Sequence, residues 1–257
     1  MSWLNAFRAN VVKVVLELTR YLPNTLAMIF TFYAIFVFMF LGIKFVGDPT
    51  TAADNIRYVM VANSFWFLLM MGVSSMGWEL SAEALRGTLE QLYMSTVPPY
   101  MILLFRMIAT MLINTVLLAL LITLSMLTTG QWLTVDVTTL VLVLPPTFLA
   151  VMGLGYAVAG LTIVYKQMNA VLQLLQFALM GIAFVPLTAV PLFELAPTAK
   201  GIDMIRQVMA AGTPLATFTA LDWATLVGTG AFWFVLGLGV YLLFERRSMN
   251  RGLLGHY

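Results

Sequence analysis

The stretch EALRGTLEQLYMSTVPPY, residues 83–100, sets Glu83, Arg86 and Glu90 around a helix-breaking glycine, with Glu79 one turn upstream. It lies between two long apolar runs in a chain otherwise short of charge. On a helix of 3.6 residues per turn, Glu79, Glu83, Arg86 and Glu90 share one face, and Leu85, Leu89, Leu92 and Tyr93 share another. Gly87 interrupts that pattern, because glycine inside a helix costs up to about 1 kcal/mol relative to alanine. Thr88 and Gln91 form a T-x-x-Q capping box that predicts a new short helix just after the glycine. Pro98 and Pro99 are expected to end it, since the residue before a proline avoids the α region. The stretch therefore predicts a short amphipathic helix set off by a hinge on one side and two prolines on the other. It reads either as an interfacial anchor for a loop or as a docking element for a cytoplasmic partner.

The surrounding composition gives the solvent. Of 257 residues, 61% are hydrophobic and 9% charged, against roughly 25% charged in soluble domains. The chain reads as an all-α integral membrane protein. It has no Cys, which excludes disulfides, thiolate metal sites and cysteine catalysis, and its one histidine is His256. A net charge of +2 gives no reason to expect nucleic acid as a partner.

Spans need about 20 apolar residues, and six are predicted, near residues 24–43, 58–78, 101–128, 138–165, 171–193 and 224–244. The chain reads as a single permease-like domain, with an interfacial helix over 1–22, the six spans over 24–244 and a tail over 245–257. The first apolar run is too long for a signal-peptide core and is expected to remain in the mature chain. With six spans both termini share a side. That side holds Arg8, Lys13, Arg20, Arg86, Arg106, Lys166, Arg246, Arg247 and Arg251, whereas the other holds Lys44, Arg57, Lys200 and Arg206, so the positive-inside rule predicts cytoplasmic termini. The loop from Glu83 to Pro98 is then cytoplasmic. Ahead of the first span, Trp3, Leu4, Phe7, Val11, Val14, Val15 and Leu18 recur at helical spacing, which predicts an amphipathic helix in the cytoplasmic interface.

Six spans, that N-terminal helix and the E-x-x-R-G-T-L-E sequence of Glu83, Arg86, Gly87, Thr88, Leu89 and Glu90, with Pro98 downstream, resemble a permease subunit of the ABC-2 family of ATP-binding-cassette exporters. Leu85 departs from the family's frequent charge, and Thr96-Val97 stands where Ser-Pro or Thr-Pro is common. The resemblance implies a coupling helix fitting an ATPase subunit, drawn from Glu79, Glu83, Arg86, Gly87, Thr88, Leu89, Glu90, Gln91 and Leu92. It also implies two copies of a cytoplasmic ABC ATPase, where ATP and Mg would bind, and a second permease copy as a homodimer. The expected setting is a bacterial or archaeal inner (plasma) membrane. The chain has no G-x-x-x-x-G-K-[ST] loop, so the ATPase is expected to be a separate polypeptide.

Within the spans, no Asp, Glu, Lys, Arg or His is expected in the core of a helix, which weakens an ion-driven carrier and leaves Ser74 and Ser75 without an activating base. No catalytic constellation is expected in this chain. Asn63, Ser64, Asn114, Asn169, Gln173 and Gln176 are polar positions that either bond between helices or line a substrate path. Gly153, Gly155, Gly228, Gly230, Gly237 and Gly239 favour close helix contact, with the partner left open. Ile202, Ile205 and Met209 share a face of a short amphipathic helix after the fifth span, readable as an outer gate or a connector. The leading function is an ATP-driven exporter of an apolar or amphipathic molecule, such as a lipid, lipid-linked glycan, drug or peptide. The alternatives are a non-transporting scaffold that recruits a cytoplasmic partner, or an ATP-independent carrier.

Overall fold

A computed structural model describes residues 3–86, 89–165 and 168–250, and every regular element among them is an α-helix or a short 3-10 turn. Five helices are long and apolar enough to cross a membrane: α2 (Leu22–Val46), α3 (Ala52–Leu85), α5 (Pro99–Thr129), α6 (Val137–Tyr165) and α9 (Ala220–Asn250). The other α-helices are α1 (Trp3–Arg20), α4 (Leu89–Tyr93), α7 (Asn169–Phe184) and α8 (Ala199–Ala211).

The fifth expected span, 171–193, is the one the structure corrects. Its helix, α7, has 16 residues, about 24 Å at 1.5 Å per residue against a hydrocarbon core of about 30 Å. It stops because Pro186 forces the preceding Val185 into an extended conformation (φ −80°, ψ 123°). The apolar sequence continues to Phe193, but only as turns and a 3-10 segment, Pro191–Leu195. The last carbonyls of α7 are satisfied from outside the helix. Arg206 Nη2 donates to Ala183 O at 2.6 Å, and the Tyr58 hydroxyl donates to Phe184 O at 2.9 Å. Irregular backbone at membrane depth needs such cover.

Prolines also place the start of α5. Pro98 is its N-cap (φ −56°, ψ 141°) and Pro99 its first residue, a position where the missing N–H would have had no intrahelical partner anyway. The prolines therefore start the following span rather than stop the preceding short helix. That helix, α4, has already ended at Tyr93.

α3 sits at the centre and packs on α2, α5, α6, α7 and α8. Phe65, Phe67, Leu68, Leu69, Met76 and Leu80 are among its fully buried side chains. The tightest pair is α6 with α9. A Cβ at Gly160 would fall 2.8 Å from Tyr241 Cα, and one at Gly237 would fall 2.7 Å from Gly153 Cα, so the two backbones touch through glycine. At the end of the bundle that carries α4, α1 lies against the start of α5, with Trp3 and Phe7 both edge-on to Phe105. α9 runs six residues beyond the expected end of its span, to Asn250.

Candidate functional site

The two ends of the bundle are held by different charged clusters. At the α4 end, Arg106 is 9% exposed and is the eighth residue of α5. Its Nη1 lies 2.6 Å from Glu83 Oε1 and 3.4 Å from Glu79 Oε2. Lys13 of α1 reaches the same Glu79 oxygen at 3.2 Å. Two carboxylates spaced one turn apart on α3 thus tie α5 and α1 to it. The expectation that no ionisable side chain enters a span is corrected here, because Arg106 lies inside the third expected span. A buried cation is tolerated when paired and hydrogen-bonded. The signal was present in the sequence as the one base in the apolar run of α5, but counting it as a flanking charge hid it.

Just beyond this cluster the chain leaves α3. Arg86 is an exposed turn residue. Gly87 and Thr88 lie outside the described residues, so the hinge and the capping box cannot be located. Leu89 and Glu90 belong to α4 by backbone, with side chains outside the described residues. Gln91 is exposed, whereas Leu92 and Tyr93 pack against the chain's own core. Leu92 is therefore not an outward anchor. Among the described side chains of this segment, the apolar one presented outward is Met94, just past the end of α4 and 76% exposed. Tyr93 lies beside the Tyr241 hydroxyl, which donates to Glu245 Oε1 at 3.2 Å, so α4 also leans on α9.

The six polar span positions separate clearly. Asn63 is fully buried and donates to Phe32 O at 3.2 Å, joining α3 to α2. Ser64 bonds back to Met60 O at 2.8 Å. Gln176 Nε2 donates to Ser74 Oγ at 3.4 Å, and its own carbonyl accepts from Trp66 Nε1 at 3.3 Å. Gln173 is exposed, and the side chain of Asn169 lies outside the described residues. Asn114, 6% exposed, lines a cavity of about 410 Å³ between α1, α2, α3 and α5.

At the opposite end α8 is embedded rather than laid on a surface. Ile202 and Ile205 are fully buried and Met209 is 3% exposed. A Cβ at Gly201 would collide with Thr147 of α6. Two cations that were counted in the sequence only as flanking charge bolt this helix down. Lys200 Nζ lies 2.7 Å from Glu194 Oε1 and 2.6 Å from Asp222 Oδ1, tying α8 to the 3-10 segment and to α9. Burial pushes the Lys200 amine down, but the hydrogen bonds to Asp222 and Glu194 outweigh it and the net shift is upward. Arg206 donates to the Tyr58 hydroxyl at 2.6 Å, besides Ala183 O, and lies over the Tyr58 ring. An Arg206→Lys variant keeps the charge but loses the planar fork that serves both acceptors. It is expected to lose about 2 kcal/mol of stability, read as a fall in the thermal midpoint of the detergent-purified chain. Gln207→Ala, one residue away and exposed, should leave the midpoint within the range of an ordinary surface change.

Long apolar helices around a largely buried central one, with ion clusters at both ends, define a polytopic membrane domain. Residues 44–238 match the family model described as ABC-2 family transporter protein, which is most of the 257-residue chain. The chain belongs to the ABC-2 transporter family, as an integral membrane, non-catalytic transmembrane subunit, and the family implies an ATPase partner. No curated protein and no solved structure matches it.

Proposed function

We propose that the chain is the permease subunit of an ATP-driven exporter of an apolar or amphipathic molecule, working as two copies with two copies of a separate cytoplasmic ATPase that binds ATP and Mg. In this reading both termini and residues 86–98 face the cytoplasm of a bacterial or archaeal inner membrane, and α4 is the coupling helix. The observation that carries it is the way α4 is mounted. Its Leu92 and Tyr93 grip the bundle while Gln91 and the following Met94 face outward, and α3 just before it carries Glu79 and Glu83, which pair with Lys13 of α1 and Arg106 of α5. A push on α4 would then reach α1, α3, α5 and α9 at once, as a lever needs. At the far end, α8 with Ile202, Ile205 and Met209 would cap the path and move with the bundle to which it is bolted.

Met94→Asp tests the docking face without touching the core. Small interfaces depend on a few apolar anchors, whose loss costs on the order of 2 kcal/mol, about a thirty-fold weaker association. Co-purification of the ATPase with the chain should fall accordingly, and substrate-stimulated ATP hydrolysis with it. If Met94→Asp and Arg86→Glu both bind and stimulate the ATPase like the parent, this loop is a surface anchor and the coupling role is wrong. If a partner binds but no molecule crosses the membrane, the scaffold reading replaces the transport one.

A further inference from the structure

The cavity beside Asn114 holds polar groups that the protein itself does not satisfy. α5 carries five threonines, and four of them bond back to the carbonyl four residues earlier: Thr115, Thr123, Thr128 and Thr129, at 2.7–2.8 Å. Thr110 does not. It is 9% exposed, lines the cavity and has no hydrogen-bond partner among the described residues. One helical turn on, Asn114 lines the same cavity, 6% exposed, and its amide is likewise without a partner among the described residues. A hydroxyl and an amide that face a cavity without a protein partner are free to bond a polar group that enters it.

The rest of the lining indicates what kind of group. The walls are mainly apolar, with Leu18, Met28 and Met71 among them. The charged side chains in the lining are Glu17 and Glu79, both acidic, and Lys13 bridges them at 3.8 Å and 3.2 Å without lining the cavity itself. Tyr21 and Trp78, both exposed aromatics of the kind that gather at a membrane–water boundary, also line it, where α1 bends into α2. At about 410 Å³ the cavity falls within the range of small-molecule sites, about 300–1,000 Å³.

We propose that this cavity is a binding site for a single amphiphile drawn from the leaflet on the α4 side. The amphiphile carries hydroxyl, amide or ester groups that bond to Thr110 and Asn114, and a neutral or cationic headgroup that lies near Glu17 and Glu79. Lys13 and Arg106 pair with these carboxylates but neither base lines the cavity, so an anionic headgroup meets the acidic side chains first and is disfavoured. Occupancy does not rest on the transport reading, because it follows from the unpaired groups and the wall chemistry alone.

The test uses the full chain in detergent, titrated with phosphatidylethanolamine or with phosphatidylglycerol and followed by its thermal midpoint and by lipid retained in native mass spectrometry. A ligand that binds the folded state raises the midpoint in proportion to the logarithm of its concentration. Phosphatidylethanolamine should do so and be retained at one per chain, whereas phosphatidylglycerol should do so at least tenfold less effectively. Thr110→Val with Asn114→Leu should abolish the shift and the retained lipid, and Gln173→Leu, exposed on α7, should leave both intact. A second arm separates the sources of the ligand. If the amphiphile is cargo, it stimulates ATP hydrolysis when the ATPase is bound, whereas a resident lipid is retained without stimulation. The proposal is overturned if the double variant retains phosphatidylethanolamine like the parent, or if both lipids bind equally. It is also overturned if the double variant is simply more stable and neither protein retains lipid, the result expected of a cavity holding only water.

Discussion

Replacing Arg106 by methionine is expected to remove 3–5 kcal/mol of stability, the usual cost of breaking one partner out of a buried ion pair, about. The loss is not that of one hydrogen bond. Glu83 and Glu79, with side chains 16% and 23% exposed, would both lose the Arg106 guanidinium, leaving Glu79 with Lys13, which also reaches Glu17. The measurement is the fraction of chain that stays monodisperse after graded heating. A second variant separates charge from packing. Arg106→Met with Glu83→Gln also removes the charge of the carboxylate nearest the lost guanidinium and should recover a large part of the loss, because substituting a whole buried pair is often close to neutral. If the single variant is as stable as the parent, the cluster is an ornament of the bundle and cannot hold α4 to the spans. If the double variant recovers stability but not ATPase stimulation, the ion pair serves transmission as well as folding.

The five long helices were legible in the sequence, because a run of twenty or more apolar residues has few alternatives to a membrane helix. So was the end of α3 ahead of α4, at Leu85, although Gly87 itself lies outside the described residues. The misreading of the fifth span has a local cause. Hydropathy stays high from Val171 to Phe193, and a composition count passes over Pro186 and Pro191, while the backbone cannot. What stayed hidden were pairings. Nothing local says that Arg106 meets Glu83, twenty-three residues earlier, or that Arg206 caps the carbonyls of α7. The polar positions in the spans show the same limit. Asn63 and Asn114 are both buried amides in apolar helices, yet one joins two helices and the other opens into a cavity, a distinction set by neighbours far away in sequence. Likewise α4 showed its apolar residues but not which way they point, and Leu92 packs against the chain's own core.

The glycines of α6 and α9 give the second large effect, and they separate by which face they occupy. Gly153 and Gly160 are seven residues apart, as are Gly230 and Gly237, so each pair recurs after two turns on one side of its helix. All four meet backbone of the opposite helix: Gly153 at Trp233 and Phe234, Gly160 at Tyr241, Gly230 at Pro146 and Gly237 at Gly153. Gly228 and Gly239, which enrich α9 equally in the sequence, have nothing within 4 Å of a Cβ. A methyl group added at Gly237 cannot be relieved by a side-chain rotation, since its neighbour is main chain, so the two helices must separate along their seam. Gly237→Ala is therefore expected at the top of the range for overpacking, about 3 kcal/mol, even though alanine is the better helix former. Gly239→Ala adds the same methyl on the open face and should instead gain up to about 1 kcal/mol from helix propensity. Thermal midpoints of the two variants in the same detergent should move in opposite directions from the parent. Equal shifts, or a stable Gly237→Ala, would mean that α6 and α9 do not pack backbone to backbone along this seam.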